Sequence, residues 1–150
     1  MYIKEYISNY NEKLRIYVDM DGVIADYIVG KPYDFENKRP LFDSINKLKE
    51  VSEFNNVEMY ILSICNNESQ IAEKNNWLDK YASFFQKENR VIISKDDNPD
   101  KSSSELKRDY LKKINTSEKI ILIDDDNLIL KFIRKELPSI ILLQDSSLID

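Results

Sequence analysis

Carboxylates gather in two short stretches of the sequence. Asp19 and Asp21 stand one residue apart in DMDG, directly after the apolar run 14–18, and three consecutive aspartates at 124–126 follow a second apolar run. Brought close together, such groups repel one another and their pKa values rise. A hard cation with oxygen ligands relieves this repulsion, and Mg²⁺ is the usual cation where carboxylates meet a phosphate. The two clusters therefore indicate metal-assisted phosphate chemistry.

Both clusters also have ordinary structural explanations. Asp21 and Gly22 are typical turn residues, and one aspartate of 124–126 can cap the N-terminus of the helix that follows. A turn or a cap needs only one carboxylate, whereas each cluster supplies at least two. The presence of two such clusters after apolar runs favours a shared site over two separate turns.

The elements that must position these residues alternate along the chain. Five short apolar runs, rich in β-branched residues, predict strands buried on both faces; they are 14–18, 57–62, 90–94, 119–123 and 139–143. Helical spacing of apolar residues between the runs predicts one α/β domain over residues 1–150, with a parallel sheet of about five strands and helices on both faces. The first thirteen residues fit a short helix or an extra strand, and the polar stretch 95–104 predicts a loop.

The predicted topology brings the polar residues to one edge. Ligands of open parallel sheets bind at the carboxyl ends of the strands, and Asp19 lies at such an end. Ser63 follows the apolar run 57–62, where a hydroxyl and the following amides can hold a phosphate oxygen. A lone serine there is more often structural, but this one gains weight as the third polar group at the same edge.

Composition excludes several kinds of chemistry. The chain has 150 residues, a net charge of −5, one cysteine and no histidine. Without histidine there is no Ser-His-Asp triad, Cys-His pair or His-metal site, and Cys65 can form no internal disulfide. The N-terminus has no signal-peptide pattern, and no apolar run reaches the length of about 18 residues that a membrane helix needs. We therefore expect a soluble, cytoplasmic protein, whose net charge gives no general attraction to nucleic acid.

The ordered motifs resemble those of a known family. DMDGVIAD, Ser63, a downstream lysine and LIDDD resemble the haloacid dehalogenase (HAD) phosphohydrolase superfamily, whose pattern is DxDGT/V, Ser/Thr, Lys and an acidic pair. The match covers roughly residues 14–143. The DMDGVxAD form and the segment WLDKYASFFQKENRVII look most like the 5'-nucleotidase (deoxyribonucleotidase-like) branch. The resemblance implies a three-layer Rossmann-like fold and a Mg²⁺-dependent phosphomonoesterase acting on a small phosphorylated substrate, a nucleotide or a nucleic-acid phosphate end.

The resemblance also implies roles for individual residues. Asp19 matches the nucleophile that forms an aspartyl-phosphate, and Asp21 matches the general acid and base. Gly22 matches the glycine that lets the chain turn sharply beside the phosphate. Ser63 matches the phosphate-binding hydroxyl, with the Ile64 amide beside it.

The same resemblance implies a set of Mg²⁺ ligands. Asp19 and the backbone carbonyl of Asp21 reach the metal in the family. Asp125 matches the usual direct ligand, and Asp124 would ligate directly or through water.

Two lysines compete for the position beside the phosphate. Lys101 precedes SSSE, a capping-box pattern, and fits the commoner family spacing to the acidic pair. Lys107 lies one turn inside the helix, on the same face as Tyr110 and Leu111. A lysine on an apolar face is costly unless it is paired, although its ammonium can also snorkel to solvent. We favour Lys107 and retain Lys101 as the alternative.

The intervals between the motifs are too short for a folded cap domain, so we expect the cap to be absent or minimal. Fewer than twenty residues separate Asp21 from the next helix near Pro40, and the interval 63–91 has room for about one helix. Cover for the open site must then come from the loop 24–39, from a second copy of the chain or from a large substrate. Lys31, Tyr33 and Phe35 are the loop residues best suited to touch a phosphate or a base.

Two other functions use similar residues. A signalling receiver domain has its acidic pair after strand one and its phosphoacceptor after strand three, an order that this chain lacks. A non-catalytic HAD-like module that binds a phosphate or a nucleotide is the stronger alternative, since complete motifs do not establish turnover.

Overall fold

The computed structural model describes residues 2–27 and 35–149. Within these residues five strands form one sheet; they are β1 (Leu14–Val18), β2 (Val57–Cys65), β3 (Arg90–Ser94), β4 (Lys119–Asp124) and β5 (Ile141–Gln144). The strands pair in parallel in the order β3-β2-β1-β4-β5. The predicted α/β fold with a five-stranded parallel sheet is confirmed.

Helices precede and connect the strands; they are α1 (Ile3–Ser8), α2 (Phe42–Ser52), α3 (Ser69–Tyr81), α4 (Ser103–Lys112) and α5 (Asn127–Glu136). Helix α1 decides the open question about the first thirteen residues in favour of a short helix. The interval from Ser63 to Val91 holds α3 and one 3-10 turn, as its length predicted. Among the described residues, no helix is both long enough and apolar enough to cross a membrane.

Two apolar clusters lie on opposite faces of the sheet and make a three-layer structure. Leu14, Ile16 and Val18 of β1 join the cluster that contains the buried residues of α1, α2 and α3. Tyr17 joins the cluster formed with α4 and α5. Because successive side chains of a strand point to opposite faces, a strand between two layers of helices needs apolar residues on both faces. In β1 Arg15 is the exception, and it pairs with Glu118 (2.7 Å). Burial on both faces explains the continuous apolar runs in the sequence.

Strand β2 is longer than the predicted 57–62. Its second half pairs with β3 in register from Ile61 opposite Arg90 to Cys65 opposite Ser94. This pairing with β3 extends β2 by three residues beyond Leu62. Ser63 and Ile64 therefore lie within β2, rather than after it as predicted.

The other boundary errors come from local hydrogen bonds. Strand β5 begins at Ile141 and not at Ser139, because the Ile140 N–H donates to the Leu137 carbonyl in a turn (3.1 Å). The predicted loop 95–104 begins with a 3-10 turn at Lys95–Asp97, whose Asp96 N–H bonds the Ser94 hydroxyl. The loop also ends two residues early, since Ser102 caps α4 in the predicted capping box.

Candidate active site

Asp19 stands at the carboxyl end of β1, in the middle of the sheet. Its backbone N–H donates to the Ile123 carbonyl (3.0 Å), so the chain stays aligned with β4 up to this residue. Only 8% of Asp19 is exposed. Burial raises the pKa of the Asp19 carboxyl to about 7; the Lys107 ammonium opposes the rise and the nearby Asp124 carboxylate adds to it.

Lys107 joins the two acidic clusters. Its ammonium lies 2.6 Å from an Asp124 carboxylate oxygen and 3.1 Å from an Asp19 oxygen, and its side chain is 2% exposed. Burial alone would lower the pKa of Lys107, but the two carboxylates outweigh burial and raise it. Lys101 pairs instead with Asp109 (2.6 Å), with 45% of its side chain exposed. The structure therefore brings Lys107, and not Lys101, to the carboxylates.

The aspartates at 124–126 occupy three different environments. Asp124 ends β4 with no exposure, and one of its oxygens accepts from the Asp126 N–H (2.9 Å). Asp126 is the helix cap that the sequence allowed, since its carboxylate accepts from the Leu128 N–H (2.9 Å). Asp125 is exposed, yet partial burial of its carboxyl group, with the charge of Asp124, raises the pKa of Asp125 to about 6.

The carboxylates can hold a metal ion. Oxygens of Asp19, Asp124 and Asp125 all lie within 4.8 Å of one another. Three hard oxygen donors suit Mg²⁺. A divalent ion would offset the burial, and the repulsion from Asp124, that together raise the pKa values of Asp19 and Asp125. The donor set therefore fits the metal that the motifs predict.

Gly22 is required by the shape of this cluster. Its φ of +81° is a conformation that side chains rarely adopt, and a Cβ at this position would lie 2.0 Å from an Asp125 carboxylate oxygen. The missing side chain of Gly22 thus leaves the space that the Asp125 carboxylate occupies.

Asp21 is held by two lysines that the sequence analysis missed. Lys38 donates to one of its carboxylate oxygens, and Lys74 donates to the other at 3.1 Å. Burial acts to raise the pKa of Asp21, but Lys74 and Lys38 together outweigh it and lower that pKa.

Lys74 also binds the predicted phosphate-binding segment. Its ammonium donates to the Ser63 hydroxyl oxygen (2.6 Å) and to the Ile64 carbonyl (3.0 Å). An ammonium can only donate, so the Ser63 oxygen accepts this bond and keeps its own hydrogen for another acceptor. The signal for Lys74 was present in the sequence: it shares the apolar stripe of Ile71 and Leu78, the same argument that singled out Lys107.

Three residues of the loop 24–39 were predicted to touch a phosphate or a base, and the structure describes one of them. Lys31 and Tyr33 lie outside the described residues. Phe35 is 1% exposed and packs edge-on against Trp77 with ring centres 5.8 Å apart, so its prediction as a substrate contact is wrong. Tyr27, by contrast, is 56% exposed and lines the cavity of about 390 Å³ into which Asp19 and Asp21 open.

Comparison with known proteins finds solved structures with a similar fold. No protein-family model matches the chain, and no curated protein matches it. Solved structures do match: the Pnkp1/Rnl/Hen1 RNA repair complex has a TM-score of 0.70 at 19% identity, over 89% of this chain and 42% of that chain. A second Pnkp1/Rnl/Hen1 structure gives the same values over 46% of its chain.

A third solved structure is the N-terminal part of BF1531 from Bacteroides fragilis, which contains a phosphatase domain complexed with Mg. Its TM-score is 0.57 at 13% identity, over 93% of this chain and 38% of that chain. The fold is shared. This chain spans less than half the length of each of the three, and the 5'-nucleotidase branch stays a prediction.

Proposed function

We propose that this chain is a Mg²⁺-dependent phosphomonoesterase that works through an aspartyl-phosphate. The observation that carries the proposal is the convergence of Asp19, Lys107 and the Asp124–Asp125 pair at the carboxyl end of β1 and β4. A lone buried carboxylate is poorly solvated, but here a buried ammonium and a metal-binding oxygen set surround it. Such a site suits a group that attacks a phosphate.

In the first step an Asp19 oxygen forms a bond to phosphorus while the bond from phosphorus to the leaving oxygen breaks. Asp21 gives its proton to the leaving oxygen as that bond breaks. Lys107 and the Ser63 hydroxyl donate to the phosphoryl oxygens. A Mg²⁺ ion held by Asp19, Asp124 and Asp125 would supply charge neutralisation for the same group. Because Lys38 and Lys74 favour ionised Asp21 in the free protein, the incoming phosphate must supply the negative charge that lets Asp21 take up a proton.

In the second step Asp21 removes a proton from water as the water oxygen attacks phosphorus. The bond between phosphorus and Asp19 breaks, inorganic phosphate leaves, and both aspartates return to their starting states. Two steps with one carboxylate acting as acid and then as base account for the whole exchange of atoms and protons.

The substrate class that we propose is a nucleotide or a nucleic-acid phosphate end. Tyr27 offers an exposed aromatic face at the wall of the cavity, and bases stack on such faces. The fold shared with proteins of an RNA repair complex supports including phosphorylated strand ends among the candidates.

A phosphate-release screen with Mg²⁺ tests the proposal. The substrates are nucleoside 5'-monophosphates, sugar phosphates and oligonucleotides with a 3'- or 5'-phosphate, and the control is Asp19→Asn. We expect release from at least one class by the wild-type chain and none by the variant. Phosphate or nucleotide binding without release would support the binding module instead, and equal release by the variant would refute Asp19 as nucleophile.

A further inference from the structure

We propose that Lys38 is a positioning residue for Asp21, and that its contribution depends on how strongly the leaving group needs a proton. The inference rests on the proposed function, since it assigns Asp21 the transfer of a proton to the leaving oxygen. Lys38 was not among the motif residues, and its effect is separable from the overall activity.

The two lysines hold Asp21 from its buried side. The side chains of Lys38 and Lys74 are 1% and 3% exposed, whereas the Asp21 side chain is 27% exposed. Asp21 lines the cavity and the two lysines do not line it. Lys38 therefore acts on the proton transfer through the carboxylate that it holds; its other neighbour at the cavity is the Tyr27 ring, whose centre lies 5.6 Å from the Lys38 ammonium.

The two contacts on Asp21 differ in what else they do. The Lys74 ammonium donates to three acceptors: the Ser63 hydroxyl, the Ile64 carbonyl and one Asp21 oxygen. Lys38 donates to the other Asp21 oxygen. With Lys74 alone the carboxylate could still turn about its remaining contact; the second donor fixes the plane of the carboxylate.

The fold holds Lys38 in place independently of Asp21. The Trp77 indole N–H donates to the Lys38 carbonyl (2.9 Å). The Phe35 ring lies 4.9 Å from each lysine ammonium, an arrangement favourable to both cations. Lys38 also precedes Arg39, whose carbonyl accepts from the Asp26 N–H (2.9 Å) next to the DMDG turn.

Loss of this support should matter most for poor leaving groups. An alkoxide leaves only with a proton from Asp21, whereas p-nitrophenolate is stable enough to leave without one. General acid catalysis contributes about 10²–10⁴ in rate, and a misplacement of about 1 Å can cost about 10². A displaced Asp21 should thus slow phosphoryl transfer from alkyl phosphates and spare it from aryl phosphates. This first step is read from kcat/KM, because the attack of water, which also uses Asp21, follows it for both esters.

The test compares Lys38→Met with wild type on β-glycerophosphate and p-nitrophenyl phosphate at saturating Mg²⁺. We expect kcat/KM for the alkyl ester to fall on the order of 10², with kcat/KM for the aryl ester within about threefold of wild type. Lys80→Met is the matched control, because Lys80 is an exposed lysine of α3 over the Tyr81 ring. In Lys80→Met the ratio of kcat/KM for the two esters should equal that of wild type.

If Lys38→Met leaves the ratio of kcat/KM for the two esters unchanged, because both values fall equally or neither falls, the inference is overturned. The proposed function still stands in that case. A wild-type chain that releases phosphate from neither these two esters nor any substrate of the screen overturns both. If circular dichroism shows that Lys38→Met is unfolded, Trp77→Phe is the second test. It keeps a ring in the core and removes the donor to the Lys38 carbonyl together with part of the indole volume. A rate ratio shifted in the same direction supports the inference, and an unshifted ratio refutes it.

Discussion

Replacing Lys107 by methionine removes the cation between the two acidic clusters and keeps a chain of similar length. The Lys107 ammonium is within 3.1 Å of Asp19 and 2.6 Å of Asp124, in a site that is closed to solvent on the lysine side. The variant therefore tests whether this cation stabilises the transferring phosphoryl group.

Two magnitudes follow from this geometry. Loss of one preorganised donor at a developing oxyanion costs about 10²–10³ in kcat. Removal of one partner from a buried ion pair costs about 3–5 kcal/mol of folding free energy, because the remaining charges stay buried. A proton on Asp19 can relieve part of that cost. Its pKa is already raised to about 7 and would rise further without Lys107.

The pH dependence has a definite sign. A carboxyl whose pKa is higher in the folded than in the unfolded chain binds extra protons when folded, so stability falls as pH rises from its ordinary pKa towards the raised value. Lys107→Met should therefore lose more stability at pH 8 than at pH 6. Melting temperatures at the two pH values, without metal, measure the difference.

Lys101→Met is the matched control for this variant. It breaks one partly exposed ion pair with Asp109, which contributes about 0–1 kcal/mol, and should leave kcat nearly unchanged. A large rate loss in Lys101→Met with a normal rate in Lys107→Met would show that the family spacing, and not the observed contact, identifies the lysine. Full activity in both would refute the role of either cation.

Three other perturbations probe the same site. Asp19→Asn should abolish phosphate release with a native circular dichroism spectrum, because an amide cannot form the acyl-phosphate; substantial residual turnover would contradict the nucleophile. Mg²⁺ should raise the melting temperature more at pH 8 than at pH 5, because it competes with the protons that the raised pKa values of Asp19 and Asp125 retain; indifference to Mg²⁺ at both pH values would count against the metal site. Gly22→Ala should weaken Mg²⁺ binding by about 10–100-fold, since the new Cβ would displace the Asp125 carboxylate; calorimetric titration giving wild-type affinity would refute this.

The sheet could be predicted from the sequence because burial on both faces leaves a continuous apolar run. The runs at 14–18 and 90–94 match β1 and β3 residue for residue. Prediction failed where pairing with a neighbour sets the boundary. The sequence of VEMYILSIC does not show that β3 will pair with its second half and draw Ser63 into the strand.

The two lysines that contact Asp21 show a second limit of prediction from the sequence. Lys74 was predictable, since a lysine at helical spacing among apolar residues needs a buried partner. Lys38 lies in a segment without regular periodicity, and its ammonium reaches Asp21 only because Trp77 and Phe35 fix that segment against α3. Contacts made between irregular segments and distant helices leave no periodic trace in a sequence.

The balance of charges connects the metal to the substrate. Among the described residues, three lysines pair with this group of aspartates: Lys38, Lys74 and Lys107. When ionised, Asp19, Asp21, Asp124 and Asp125 carry one more charge than these three lysines. A bound Mg²⁺ would turn this small negative excess into a positive one, and a phosphate dianion would then restore it. Mg²⁺ thus removes the repulsion that opposes the phosphate, and a bound phosphate strengthens the attraction for Mg²⁺ in a partly buried site. We therefore expect Mg²⁺ and inorganic phosphate to bind cooperatively, each tightening the other by the same factor; calorimetric titration of each ion with and without the other measures that factor, and equal affinities would refute the coupling.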